Sequence, residues 1–184
     1  MQSAAREPVE HDRYPDSYLR AILREVKTIA MVGASAKEVR PSHLVMKYMM
    51  GKGYTVIPVN PGLAGKEILD QPVYAKLEDV PVPIDMVDIF KNSEAAGAVV
   101  EEALRLDPLP KVIWMQLTVR NDAAALKAEA KGVQVVMNRC PKMEYGKLSG
   151  EWGWVGGASG VLSSRRMRLH ESGKVQSLGL GLKR

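Results

Sequence analysis

A short apolar run that stops at a glycine constrains the fold of this chain more than any other feature. Residues 28–32 (Thr-Ile-Ala-Met-Val) predict a buried strand, and Gly33 predicts a tight turn from that strand toward a helix. Such a strand–turn–helix junction leaves backbone N–H groups free at the start of the helix, where the helix dipole also favours negative charge. The junction therefore predicts an anion site of the kind that holds a phosphate group.

The remainder of the chain alternates between helical and strand patterns. Apolar runs predict four further strands, at residues 54–59, 86–90, 112–117 and 133–137. Apolar residues at helical spacing predict helices at residues 16–26, 42–52 and 122–131 and another from residue 93 onward, with Ser42, Ser93 and Asn121 as the expected caps. This alternation predicts the α/β class: a Rossmann-like, doubly wound, five-stranded and mainly parallel sheet with helices on both faces.

Length and charge divide the chain into one domain and two flanking segments. In a chain of 184 residues we expect one domain, at residues 16–149, after an N-terminal extension at residues 1–15. A Gly- and Ser-rich tail at residues 150–184 carries most of the excess positive charge, because the net charge is +5 and the last 34 residues contribute +4 of it. We interpret this tail as solvated or as packing in a homo-oligomer, and contact with nucleic acid is the less favoured interpretation.

The composition disfavours several classes of protein. The single cysteine, Cys140, excludes an intramolecular disulfide, no apolar run reaches the roughly 18 residues of a membrane span, and the polar N-terminus has no apolar signal-peptide core. We therefore expect a cytoplasmic protein without membrane contact. The His, Cys, Asp and Glu residues show no metal-ligand spacing, and no Ser-His-Asp arrangement can be argued, so we predict neither a metal ligand nor a catalytic residue.

Polar residues are concentrated where the predicted strands end. Ligands of such sheets bind at the carboxyl ends of the strands, where the strand order reverses, so these residues are candidate binding residues. Beside Gly33, the hydroxyl of Ser35 and the cations Lys37 and Arg40 suit a pyrophosphate. The loop has a single glycine and fits neither the dinucleotide-binding fingerprint nor the P-loop, so a plain tight turn stays an alternative.

The end of the second predicted strand departs from the pattern of NAD enzymes. Dinucleotide-binding folds place an Asp or Glu near this position to hold a ribose 2′-OH, whereas this chain has Val59, Asn60 and Pro61. An asparagine can still donate to and accept from an adenosine group, and a proline fixes the shape of the loop. A plain turn is the alternative, and in either case a standard NAD enzyme is disfavoured.

Three further residues allow both a chemical and a structural interpretation. Asp88, inside an apolar strand, is either hydrogen-bonded to a neighbouring element or a catalytic acid, and the first is favoured because no histidine or second carboxylate is evidently paired with it. Cys140 follows Arg139, a cation that would favour the thiolate and make the cysteine redox-active, and a small apolar side chain is the alternative. We expect His43 on the surface of its helix, and a catalytic base is the less favoured alternative.

Seven motifs, taken together and in this order, carry a family resemblance. They are Val-Gly-Ala-Ser at 32–35, Arg-Pro-Ser at 40–42, Gly-Tyr-x-Val-Ile-Pro-Val-Asn-Pro at 53–61, Ile-Asp-Met-Val-Asp-Ile-Phe-Lys at 84–91, Trp-Met-Gln at 114–116, Asn-x-x-Ala-Ala at 121–125 and Asn-Arg-Cys-Pro at 138–141. Residues 16–149 thereby resemble the small stand-alone CoA-binding-domain proteins, which are similar to the nucleotide domain of the succinyl-CoA synthetase alpha subunit. The resemblance implies a Rossmann-like domain that binds coenzyme A at the carboxyl edge of its sheet.

The resemblance also implies which part of coenzyme A each candidate residue meets. By the resemblance, Gly33, Ala34, Ser35 and Arg40 would meet the phosphates, and Val59, Asn60 and Pro61 would line the adenosine. Phe90 and Lys91 would lie beside the pantetheine or phosphates, and Gln116, Arg139 and Cys140 would close the pocket. Ligase activity is not implied, because the chain lacks the length for the second domain of the synthetase and has no histidine in a comparable position.

Three functional hypotheses follow. The leading one is a protein that binds coenzyme A or an acyl-CoA without ligase activity, with a mixed disulfide between Cys140 and the CoA thiol as a subsidiary hypothesis. The second is an NAD(P)-linked oxidoreductase, against which the missing glycines and the missing acidic residue argue. The third is a regulatory or interaction module that acts through the basic tail at residues 163–168 (Ser-Ser-Arg-Arg-Met-Arg).

Overall fold

The computed structural model describes residues 9–151. Its helices and strands, in chain order, are α1 (Asp16–Glu25), β1 (Thr28–Val32), α2 (Pro41–Gly51), β2 (Thr55–Val59), β3 (Glu67–Ile68), β4 (Gln71–Pro72), β5 (Met86–Ile89), α3 (Ser93–Ala103), β6 (Val112–Met115), α4 (Asp122–Ala130), β7 (Gln134–Val136) and α5 (Pro141–Ser149). Short 3₁₀ turns follow β2 at Pro61–Leu63 and precede β5 at Leu77–Asp79.

The five longer strands form one parallel sheet in the order β2-β1-β5-β6-β7, and β3 and β4 form a separate antiparallel hairpin. The predicted doubly wound α/β fold is thereby confirmed. The strand order reverses between β1 and β5, because the chain leaves β1 for β2 on one side and later returns to β5 on the other. Such a reversal opens a crevice at the carboxyl ends of the two strands, which here lie at Gly33 and Phe90.

Helices cover both faces of the sheet. α1, α2 and α5 pack on one face around Met31 and Trp114, whereas α3 and α4 pack on the other face around Val87 and Ile113. Every residue of β5 and β6 is buried, as expected for central strands that are covered on both sides. Since side chains alternate along a strand, Asp88 lies on the face covered by α1, α2 and α5.

The start of α2 differs from the prediction. The helix begins at Pro41 with Arg40 as its N-cap residue, rather than with Ser42 as the cap. A proline suits the first helical position because its missing N–H is not needed there, and its fixed φ matches the helix. The side chain of Arg40 makes no capping hydrogen bond. The N-terminus of α2 is therefore left without a side-chain acceptor.

α3 and α4 are each capped by an asparagine. Asn92, rather than the expected Ser93, caps α3, and its Oδ1 accepts the N–H of Ala95 at 2.8 Å. Asn121 caps α4 as expected, with its Oδ1 3.0 Å from the backbone nitrogen of Ala124. The amide of asparagine competes well with serine at this position, because both supply an oxygen that reaches the free N–H groups of the first turn.

Besides the β3–β4 hairpin, two parts of the structure had no counterpart in the predicted elements. α5 has no clear apolar period in its sequence, and it is stabilised by packing against α1 and α2. The segment at residues 9–15, expected to precede the domain, packs onto it: Tyr14 is buried, and its hydroxyl accepts the N–H of Met137 at 2.8 Å. Tertiary contacts, rather than local propensity, hold both parts in place.

The basic cluster at residues 163–168, on which the third hypothesis depends, lies outside the described residues, as does His170. Within residues 9–151, no helix combines the length and the apolar character that crossing a membrane requires.

Candidate functional site

Gly33 lies where three strand ends meet. Its N–H donates to the carbonyl of Val59 at 2.9 Å, and the N–H of Phe90 donates to the carbonyl of Val32 at 2.8 Å. Gly33 has a φ of +88°, and a Cβ at this position would lie 2.5 Å from the carbonyl oxygen of Phe90. The glycine is therefore required both for its left-handed backbone and for the close approach of β5, and the chain turns toward α2 at the reversal point of the sheet.

The loop after Gly33 is fastened to its surroundings from two sides. Asn60 donates through Nδ2 to the carbonyl of Ala34 at 2.8 Å, and its Oδ1 accepts the N–H of Gly62 at 2.9 Å. His43 of α2 donates through Nδ1 to the carbonyl of Ser35 at 3.3 Å. The expectation that His43 lies on the helix surface is wrong: it is buried, because it joins α2 to this loop. Asn60 and His43 thus hold the loop from opposite sides.

Backbone donors at this edge are unused. In the part of the chain that the structure describes, no acceptor bonds the N–H groups of Ser35 and Ala36 in the loop or of Ser42 and His43 in the first turn of α2. The first N–H groups of a helix have no partner within the helix, and here no side chain caps them either. These groups and the dipole of α2 make the crevice suitable for an anion.

Three cations flank the same crevice without acidic partners. Lys37 and Arg40 are exposed and Lys91 is half-buried, and no acidic side chain among residues 9–151 forms an ion pair with any of them. At the opposite edge of the sheet, by contrast, Lys111 pairs with Asp85 at 3.1 Å. The uncompensated positive charge at the carboxyl edge suits an anionic ligand.

Below the crevice, Asp88 and Gln116 form a buried pair. The side-chain Nε2 of Gln116 lies 2.9 Å from Oδ1 and 3.1 Å from Oδ2 of Asp88. This contact confirms the favoured interpretation of Asp88 as a residue hydrogen-bonded to a neighbouring element. Burial raises the pKa of Asp88 to about 7, although donation by Gln116 opposes the shift.

Arg139 faces away from the crevice. Its Nη2 donates to the carbonyl of Asp12 at 3.1 Å and its Nη1 to the carbonyl of Asn138 at 2.8 Å. Its Nε lies 3.6 Å from Oε1 of Glu144, and the guanidinium lies 5.2 Å from the centroid of the Tyr14 ring. With 3% of its side chain exposed, Arg139 holds the N-terminal segment against α5, and no contact in the structure supports its predicted place in the ligand pocket.

The expected effect of Arg139 on Cys140 is wrong. Burial raises the pKa of the Cys140 thiol to about 11, and the carboxyl group of Asp88 acts in the same direction. The charge of Arg139 is engaged elsewhere, so the cost of burying a thiolate outweighs any attraction to that cation. Cys140 is therefore a protonated, buried thiol at neutral pH rather than an activated one.

The remaining candidates are divided between the crevice and the core. Phe90 and Asn60 lie at the crevice, partly exposed, and Pro61 is exposed beside them. Ala34 is buried beneath the loop, and the side chain of Val59 packs in the core formed with α3 and α4, so that only its backbone is directed toward the loop. The structure thus brings the ends of β1, β2 and β5 together as predicted.

Sequence reasoning missed the pairing of Asp88 with Gln116. In the structure, Asp88 lies opposite Trp114 in the register of β5 and β6, and Gln116 follows two residues later on the same face. Alternation along the strands could have told which face of its own strand each side chain occupies. That β5 and β6 are neighbours depends on the strand order, which could not be obtained from the pattern alone.

Other features of the described residues do not compete with this site. Among residues 9–151, no group of three or more His, Cys, Asp and Glu residues could hold a metal ion. A cleft of about 290 Å³ lies near residues 80–84 and 106–108, and another of about 230 Å³ lies between α1 and α5. Neither cleft is lined by Gly33 or by the unused donors and unpaired cations of the crevice.

Comparison with known proteins agrees with the fold and identifies a family. Residues 27–146 match the family described as CoA binding domain. The uncharacterized protein YneT of Bacillus subtilis is 37% identical over 127 residues, which cover 69% of this chain and 91% of that protein. A hypothetical protein from Pyrococcus horikoshii of known structure is 38% identical, with a TM-score of 0.71 over 78% of this chain and 99% of that one.

A more distant likeness concerns the fold alone. The dinucleotide-forming acetyl-coenzyme A synthetase 1 of Candidatus Korarchaeum cryptofilum is 21% identical, with a TM-score of 0.53 over 62% of this chain and 26% of that one. The family match covers most of the chain, and the resemblance carried by the sequence motifs is confirmed. The chain belongs to the CoA-binding domain family.

Proposed function

We propose that this member of the CoA-binding domain family binds coenzyme A or an acyl-CoA in the crevice at the carboxyl edge of its sheet, and that it does so in the cytoplasm and without ligase activity. One observation carries the proposal most directly. Gly33 lets β1 and β5 meet so closely that the loop and the uncapped start of α2 open onto one crevice, flanked by cations without acidic partners. The family to which the chain belongs supports coenzyme A as the anion.

In this proposal, the phosphates bind at the loop and at the start of α2. The N–H groups of Ser35, Ala36, Ser42 and His43 donate to the pyrophosphate, for which a helix N-terminus is well suited. Lys37, Arg40 or Lys91 neutralises the pyrophosphate or the 3′-phosphate, because these cations flank the crevice without acidic partners.

The adenosine and the thiol arm extend in opposite directions from the phosphates. The adenosine lies against the backbone of Val59, the side chain of Asn60 and the exposed ring of Pro61, at the end of β2. The pantetheine arm passes Phe90 and runs along the sheet edge toward Gln116 and the start of α5. We do not extend the proposal to a disulfide with Cys140, because a buried thiol with a raised pKa reacts slowly.

The alternatives gain less support. An NAD(P)-linked enzyme would need a partner for the ribose diol at the end of β2, where Asn60 is instead engaged with Ala34 and Gly62. A role for the basic tail rests on residues outside the described part of the chain. Neither alternative is favoured by a specific contact, so both serve as controls for the test.

The test is calorimetric titration of CoA into the reduced full-length protein, with NAD as the control ligand. We expect CoA to bind with a dissociation constant on the order of micromolar and NAD to bind much more weakly. Arg40→Ala removes a cation from the crevice and is expected to weaken CoA binding by about tenfold, since a charge-assisted hydrogen bond contributes about 1.5 kcal/mol or more.

Lys111→Ala provides the matched control. Like Arg40→Ala, it removes one positive charge, but from the opposite edge of the sheet, where Lys111 pairs with Asp85. The CoA affinity of this variant is expected to equal that of the wild type. Equal losses in the two variants would point to a non-specific effect of net charge, and binding of NAD in preference to CoA would contradict the proposal itself.

A further inference from the structure

The buried pair below the crevice fixes the direction of one amide. At pH 8, above the pKa of about 7, the Asp88 carboxylate is ionised and can only accept hydrogen bonds, so the side chain of Gln116 directs its NH₂ group, not its carbonyl, toward Asp88. The two distances, 2.9 and 3.1 Å, place Nε2 between both carboxylate oxygens. Because an amide is planar and its nitrogen and oxygen diverge, Oε1 of Gln116 is turned away from Asp88.

That oxygen has no partner within the described part of the protein. No donor among residues 9–151 bonds Oε1 of Gln116, and Oε1 is not one of the fully buried side-chain atoms that lack a partner. The other polar side chain on the same face of β6 is engaged: the indole N–H of Trp114 donates to the carbonyl of Arg139 at 2.9 Å. A residue that is only 6% exposed thus keeps an open acceptor.

The position of Gln116 connects this acceptor to the crevice. Gln116 directly follows β6, and its backbone N–H donates to the carbonyl of Ile89 at 3.3 Å, next to Phe90. On its other side, the N–H of Arg139 donates to the carbonyl of Met115, which brings the start of α5 to the same edge. The open oxygen therefore lies at the carboxyl edge between β5 and α5.

We propose that Asp88 is a positioning residue that holds the amide of Gln116 with its oxygen toward the ligand, where it accepts a hydrogen bond from a donor on the arm of coenzyme A. The donor is an amide N–H of the pantetheine arm or the S–H of the free thiol. This inference rests on the proposed function and goes beyond it by naming the part of the ligand that the protein recognises below the crevice. It predicts that the arm, and not only the nucleotide, contributes to affinity.

The test compares ligands with and without the arm at pH 8. Adenosine 3′-phosphate 5′-diphosphate retains the phosphates and lacks the arm, and acetyl-CoA retains the amides and lacks the S–H. In Asp88→Asn, the new side chain offers both a donor and an acceptor, so Oε1 of Gln116 can turn inward to pair with it. We expect CoA to bind about tenfold more weakly to this variant and the armless nucleotide to bind within about twofold of the wild type.

Acetyl-CoA identifies the source of the donor. If Asp88→Asn weakens acetyl-CoA as much as CoA, the donor is an amide N–H; if it weakens only CoA, the donor is the thiol. Gln116→Met is the second variant, because it removes the acceptor while keeping the length of the side chain, and it should produce the same selective loss. Asp85→Asn is the matched control on the opposite edge, and we expect it to leave the affinity for all three ligands unchanged.

Each remaining outcome has a distinct meaning. Wild-type affinity of both Asp88→Asn and Gln116→Met for CoA would overturn the inference while leaving CoA binding intact. Equal losses for CoA and for the armless nucleotide would also overturn it, since a purely structural role would affect both ligands. If the wild type bound neither ligand, the proposed function would fail, and this inference with it.

Discussion

Two aspartates that lie three residues apart, at the two edges of the sheet, have pKa values shifted in opposite directions. At the amino edge, Asp85 accepts the N–H groups of Lys27 and Thr28 at 2.9 and 3.0 Å and pairs with Lys111 at 3.1 Å. Burial alone would raise its pKa, but these three partners outweigh burial and lower it. At the carboxyl edge, Asp88 has one amide as its partner, and burial raises its pKa to about 7.

The same contrast extends to the surroundings of the two residues. At the amino edge, Asp85 and Glu25 both pair with Lys111, so the cation there has acidic partners. At the carboxyl edge, the cations and the first N–H groups of α2 have no such partners among the described residues. The two edges thus differ in whether their charged groups and N–H donors have partners. They have partners at the edge that stabilises the fold and lack them at the edge that we propose to bind the ligand.

The largest expected effect comes from placing a side chain at the meeting point of the strands. Gly33→Ala would put a Cβ 2.5 Å from the carbonyl oxygen of Phe90 and would strain a left-handed backbone. We expect the free energy of unfolding to fall by about 3 to 5 kcal/mol, as the sum of an overpacking term and a backbone term. Urea unfolding followed by circular dichroism measures this change.

Gly53→Ala is the control that isolates the contact. Gly53 also has a positive φ, of +91°, but it lies at the amino edge before β2, and nothing lies within 4 Å of the position that a Cβ would take there. Only the backbone term applies, so we expect a loss of about 1 kcal/mol. Equal losses in the two variants would show that the close approach of β5 has no energetic importance.

The next effect concerns pH and Asp88. The pKa of Asp88 is raised from 3.8 in the unfolded chain to about 7 in the folded protein. The folded state therefore binds this proton more tightly, and the wild type loses stability as pH rises from about 4 to about 7. Relative to Asp88→Asn, whose side chain does not titrate, this loss should reach about 4 kcal/mol by pH 8.

Urea unfolding of the wild type and of Asp88→Asn at several pH values between 4 and 8 provides the measurement. The informative quantity is the change in the difference between the two proteins, since other groups titrate in both. A difference that stays constant over this range would mean that Asp88 ionises in the folded protein as readily as in the unfolded chain.

The smallest effect is expected at Asp85, and it has the opposite sign. Its folded-state pKa is lowered below 3.8, so its ion pair and hydrogen bonds stabilise the protein above about pH 4, and this stability is lost as pH falls through the folded pKa. Asp85→Asn should cost about 1 kcal/mol at pH 7, because the pair is partly screened by solvent. The difference from the wild type should shrink in acid, and a difference that grew there would contradict the assignment.

The amino-acid pattern was most informative where structure is local. The strand at residues 28–32 and the turn at Gly33 were predicted because an apolar run and a glycine act within a few residues. The caps show the limit of such reasoning: Asn121 was recognised, whereas serine was chosen over Asn92 for α3. Both side chains can cap a helix, and only the geometry of the chain entering the helix decides between them.

Long-range packing explains the expectations that were wrong. Arg139 and Cys140 are adjacent in sequence, and adjacency suggested that the cation would activate the thiol. In the structure, Arg139 turns toward Asp12, which lies 127 positions away along the chain, while Cys140 is buried near Asp88. His43 was expected on the surface for the same reason, since its contact with Ser35 depends on how α2 folds back over the loop.

The sequence by itself determined the α/β class, the positions of the five strands and the family, because apolar periodicity, turn residues and ordered motifs are properties of neighbouring positions. Only the tertiary structure decided that β5 lies beside β1, so that Gly33 meets Phe90 and Asp88 meets Gln116. These contacts join segments far apart in the chain. Their consequences, a carboxyl group with a raised pKa and an amide with a fixed direction, arise from burial, which no local pattern encodes.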